Sequence, residues 1–110
     1  MVSYVKISYP SSWLNAGHIF NLLEERFKDI SKVANAKKRK IFLDALYSNA
    51  LDIYQLSVEN CSKINKEYDE AKKAANPIKM ALAFQKITYH QKTTNLTAKW
   101  MKIHRIRFRK

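Results

Sequence analysis

Glycine occurs once and proline twice in 110 residues. An all-β chain needs tight turns at short intervals, and those turns draw on glycine and proline for their backbone angles. So thin a supply excludes most β architectures and leaves helices almost unpunctuated. Cysteine also occurs once, as Cys61, so no internal disulfide can form and a reducing compartment is expected. No apolar run approaches the ~18 residues of a membrane span. The opening stretch, MVSYVKISYPSSW, lacks the basic-then-apolar order of a secretory signal. The expectation is a soluble, cytoplasmic protein. A single glycine also rules out a glycine-rich phosphate loop. His18, His90 and His104 are too far apart for metal-ligand spacing, so no metal or other cofactor is expected.

Acid is absent from the last forty residues of the chain. Twenty-one Lys and Arg stand against nine Asp and Glu, for a net charge of +12. Every acid lies at or before Glu70. Residues 1–70 hold ten of the Lys and Arg against all nine acids, a balance of +1, and residues 71–110 hold the other eleven bases and no acid. Like charge crowded into a small domain repels itself, and a polyanion relieves that cost. Nucleic acid is the commonest such partner, because each phosphate contact also releases a counterion.

What is present points to helices. Trp13, Ala16, Phe20, Leu23, Phe27 and Ile30 recur every three or four residues, which predicts a helix over about 12–33 with Ser12 as its cap. Leu43, Leu46, Ala50, Ile53, Cys61 and Ile64 predict a second, over about 38–64. Its apolar face is broad enough to meet another subunit. A third helix is expected over about 66–91, kinked at Pro77, although Asn76-Pro77 also reads as a cap followed by the first helical residue. The polar run HQKTTN, 90–95, reads as a connection before a fourth helix over about 95–105. Residues 1–11 alternate apolar side chains and read as an extended arm, and 105–110 as a basic tail. The fold expected is one all-α domain, an antiparallel bundle of about four helices.

Two basic segments stand out. Lys37, Lys38, Arg39 and Lys40 fall at the start of the second helix, where positive charge opposes the helix dipole and a bound anion would relieve it. Lys99, Lys102, Arg105, Arg107, Arg109 and Lys110 follow one another in TAKWMKIHRIRFRK, where Trp100 and Ile103 can dock the segment on the bundle. These ten residues are the candidate nucleic-acid contacts. Arginine's flat fork of donors suits phosphate. Nothing in them specifies a base sequence. Two other readings remain open: a basic face for an acidic protein, and a helical ribonuclease. In the second, KWMKIH sets Lys99 and His104 at a spacing similar to the Arg-then-His pattern of HEPN-type ribonucleases.

The order of segments resembles one family. NALDIYQLSVEN (49–60), EYDEAKKA (67–74) and NLTAKWMK (95–102) are similar to stretches of the accessory variability determinant proteins of diversity-generating retroelements. Ala98 and Lys99 stand where that family commonly has glycines. The resemblance implies a small basic four-helix bundle without catalytic activity. It implies a ring-like homo-oligomer, typically a pentamer, that binds the element's reverse transcriptase and its RNA. By position, Arg39, Lys40, Lys99, Lys102 and Arg105 would serve those surfaces. The expected function is that of a non-catalytic RNA-binding subunit of a ribonucleoprotein or reverse-transcription complex.

Overall fold

A computed structural model describes residues 5–10 and 13–104, with side chains in the first helix from Asn15 onward. Three helices account for most of it: α1 (Trp13–Ser31), α2 (Ala36–Lys73) and α3 (Pro77–Ile103). The chain is all-α as expected, but the described residues hold three helices and not four. The expected cap Ser12 lies outside the described residues.

Both missed boundaries have a physical cause. The second helix does not stop near residue 64; α2 runs through to Lys73, and Ile64 and Ala71 carry its buried stripe across the expected gap. The break comes at 74–76. Ala74 closes α2, Ala75 takes a left-handed φ of 52°, and the Asn76 N–H reaches back 3.0 Å to the Ala71 carbonyl. This is the usual way a helix satisfies its last carbonyls, with alanine in the place usually taken by glycine. Asn76 then caps α3 by accepting the Lys79 N–H at 3.1 Å, and Pro77 sits in the first turn, where its missing N–H costs nothing. Pro77 therefore separates two helices and does not kink one.

HQKTTN is not a connection. It lies within α3, where Thr93 and Thr97 turn inward and are fully buried. Their hydroxyls bond carbonyls one turn back, Thr93 to Tyr89 at 3.3 Å and Thr97 to Thr93 at 2.7 Å. Thr94 adds a 2.7 Å bond across to Ser57 on α2. A buried hydroxyl bonded to its own helix needs no solvent.

Contacts set the packing directions. Tyr47 meets Trp100, Ser57 meets Thr94 and Cys61 meets the Ile87 carbonyl, so α2 and α3 run antiparallel. Along α1 and α3, Gly17 lies by Lys92, Phe20 by Lys99 and Glu24 by His104, so those two run parallel. The core collects Ile19, Leu23, Leu46, Ile53, Trp100 and Met101 at the end of the hairpin that α1 covers. Residues 5–10 form no regular element. Ile7 is buried, and the Asn49 side chain serves its backbone at both ends, accepting its N–H at 2.7 Å and donating to its carbonyl at 2.8 Å. Tyr9 Oη lies 2.5 Å from His90 Nδ1, and the Tyr89 hydroxyl donates to the Pro10 carbonyl. The arm thus ties α2 to α3 before α1 begins.

Candidate nucleic-acid interface

Because α2 is antiparallel to α1 and α3, its start lies beside their ends. The structure therefore brings the 37–40 run, Lys99 and Lys102 to one end of the bundle. Arg105, Arg107, Arg109 and Lys110 lie outside the described residues.

The 37–40 run does not form one basic patch. Four consecutive residues on a helix point around its whole circumference, about 100° apart. Asn35 caps the helix by accepting the Lys38 N–H at 3.1 Å. Lys37, Lys38 and Lys40 are exposed. Arg39 falls on the inward stripe with Leu43, Leu46 and Ala50, is half-buried, and donates from Nη1 to the Val33 carbonyl at 2.9 Å. It holds the α1–α2 connection, and its fork is partly committed there.

A second row lies on α3. Lys99 and Lys102 are exposed, and so is Lys92. Lys92 and Lys99 are seven residues apart, almost two full turns, so they share a side of the helix; Lys102 follows within a turn. The Lys99 ammonium sits 5.5 Å from the centre of the Phe20 ring, within cation–π range. Lys92 lies along the α1 backbone, its Nζ near Gly17. No acid follows Glu70 in sequence, so α3 offers this row no internal counter-charge. Lys92 was not among the residues expected from sequence. The seven-residue step back from Lys99 was the available signal.

Just inside this end sits a packed node. Trp100 is fully buried, with ring centres 6.1 Å from Tyr47 and 4.6 Å from His104. It is core, as its place on the apolar stripe predicts, and is not available for base stacking. His104 closes α3, lies 4.2 Å from the Phe27 ring centre, and places Nε2 2.6 Å from Glu24 Oε1. The bond from His104 holds the Glu24 carboxyl below its ordinary pKa, with smaller help from the Trp100 N–H dipole and from Lys28. Trp100 Nε1 has no hydrogen-bond partner among the described residues. Lys99 and His104 turn to different partners, Phe20 for one and Glu24 for the other.

The remaining reactive groups are quiet. Burial raises the Cys61 thiol pKa, so it is a poor source of thiolate. Burial and, secondarily, Lys86 lower that of His90, while burial raises Tyr9, which leaves their contact a neutral pair near pH 7. Among the described residues no group of His, Cys, Asp or Glu is placed to hold a metal ion. No described helix is long and apolar enough to cross a membrane. No family model, curated protein or solved structure matches the chain.

Proposed function

We propose that the protein binds nucleic acid, with RNA favoured, through the basic end of the bundle and without catalysis. It acts as an accessory subunit of a ribonucleoprotein, in the manner the resemblance to retroelement accessory proteins implies. One observation carries the reading. Lys92, Lys99 and Lys102 form an exposed row on a helix with no acid in it; that helix ends near the exposed Lys37, Lys38 and Lys40, and the arginine-rich stretch 105–110 follows it in sequence. Lysines and arginines there contact phosphates and set the position of the strand, while the packed node at Trp100 gives them a rigid base.

The test is equilibrium binding of a single-stranded RNA and a matching DNA duplex across a salt series. Wild type is compared with a chain truncated after His104 and with the triple variant Lys92→Gln, Lys99→Gln, Lys102→Gln. Each lost phosphate contact flattens the slope of log affinity on log salt by about 0.7 for single strands and about 0.9 for duplex. Both variants are expected to bind more weakly; on single strands the triple variant loses about 2 from the slope and the truncated chain, with four charges removed, about 3. Absence of binding at near-physiological salt, or a slope neither variant changes, overturns the reading. An acidic protein partner becomes the reading in that case.

A further inference from the structure

Trp100 is closed to a base, but α3 carries another aromatic side chain that is open. Phe84 is 63% exposed. Steps of four residues carry Thr88 and Lys92 on the same side of the helix, and Lys99 follows seven further on. Phe84 therefore lies in line with the lysine row, beyond Lys92, and the row and Phe84 together span ~27 Å of helix axis. Phe84 is also one wall of an open cleft of about 330 Å³ between α3 and α1. Ala16 faces the cleft from α1, and Gln85, Thr88, Tyr89 and Lys92 complete it. The Tyr89 ring is held in place, because its hydroxyl donates to the Pro10 carbonyl and its ring meets His90 with centres 4.8 Å apart. Thr88 donates to the Phe84 carbonyl at 3.0 Å, which leaves its oxygen room to accept. The Gln85 side chain is exposed and offers both a donor and an acceptor. Lys92 supplies a positive charge, and no described acid lines the cleft.

We propose that this cleft takes an unpaired base from a single strand whose phosphates run along Lys92, Lys99 and Lys102. This rests on the reading that the lysine row binds nucleic acid, and it specifies the form: single-stranded. Continuity, charge and shape support that occupant. Lys92 belongs both to the row and to the cleft, so a strand lying on the row passes the cleft as well. The surroundings favour a ligand that carries negative charge next to a flat apolar part, which is the chemistry of a nucleotide. Phe84 and Tyr89 offer ring surface, and every base has a face that stacks on a ring. The exposed Gln85 amide meets donor and acceptor edges alike, so the cleft adds affinity without choosing a base. A base inside a duplex has both faces covered by its neighbours and does not enter. The larger cleft by the 74–76 turn, about 430 Å³, does not suit a strand, because Glu67 and Glu70 line it and repel phosphate.

Two probes test this on the full chain: a uridine strand of about ten nucleotides, and a strand with the same sugars and phosphates but no bases. Both are titrated by fluorescence anisotropy across a salt series. Wild type is expected to bind the uridine strand roughly tenfold more tightly than the abasic one. Phe84→Ala removes that difference and leaves the abasic affinity and the salt slope as in wild type, while Phe84→Tyr keeps it. Both variants retain the wild-type helical spectrum, since the position is exposed. Irradiation of an iodouridine strand is expected to cross-link it to Phe84 or Tyr89, as mapped by mass spectrometry. Equal affinity for the two strands, a difference that survives Phe84→Ala, or cross-links confined to other residues overturns the base site and leaves the charge-based reading in place. Failure of both strands to bind overturns that reading and the base site with it.

Discussion

Asn49→Ala should detach the N-terminal arm. The Asn49 amide replaces a β-strand partner for Ile7, bonding its N–H and its carbonyl at 2.7 and 2.8 Å. Both residues are buried, Asn49 at 2% exposure and Ile7 at 6%. Truncation removes two hydrogen bonds and strands two backbone groups away from water. Each stranded group costs about 1–3 kcal/mol, so the damage could reach ~6 kcal/mol if the arm stayed in place. It will not stay. Releasing the arm returns those groups to water and recovers part of its backbone entropy, which limits the net loss. What is then lost is the burial of Ile7, worth about 1.5–3 kcal/mol, with the other arm contacts. The smaller route sets the result, a loss of about 2–3 kcal/mol. For a domain of this size that is a fall in melting temperature on the order of 10–20 °C. Urea unfolding reads the energy, and trypsin cleavage at Lys6 reads the release. A loss under about 0.5 kcal/mol, with Lys6 as protected as in wild type, would refute the reasoning.

Three further outcomes follow from local geometry. Ala75→Gly should stabilise by about 0.5–1 kcal/mol, because Ala75 holds a φ of 52° that glycine adopts without strain; a thermal melt checks it. Gly17→Ala should stabilise by a similar ~0.5–1 kcal/mol through helix propensity, since the nearest atoms a new methyl would meet, 3.3 and 3.7 Å away, are the mobile end of Lys92. Glu24→Gln should cost roughly 1 kcal/mol at pH 7, by making a charge-assisted bond to His104 a neutral one. The Glu24 pKa is depressed in the fold, so its contribution is full above the unfolded carboxylate value of about 4.3 and fades as pH falls through the lower folded value. Paired urea titrations should show wild type and variant converging below about pH 4, and a gap that stays constant in acid would exclude the effect.

Much of the helical content was legible, and the reason is periodic burial. Ala16, Leu23 and Ile30 are buried where three- and four-residue steps place them, and so are Leu46, Ala50 and Ile53. Asn76, one of the two readings its place before Pro77 allowed, caps α3, whereas the Asn35 cap of α2 was not read from sequence. The boundaries were less legible because the chain seldom uses the residues that mark them. Its one glycine sits inside α1, so the α2–α3 turn had to use Ala75, which carries no signal in sequence. Thr93 and Thr94 read as loop because their hydroxyls look exposed until the α3 carbonyls that receive them are known.

The sequence by itself determined the class, the acid-free stretch 71–110 and where the basic runs lie. Those are properties of composition and of side-chain period, and they hold whatever the chain folds against. Tertiary structure decided which charges are free to act. It turned Arg39 inward onto the Val33 carbonyl and added Lys92 to the row with Lys99. It also set the 37–40 run beside the end of α3 across some sixty residues of chain. The physical reason is direction: a run of charge has no facing until a helix gives it a period and a neighbouring helix takes one of its sides.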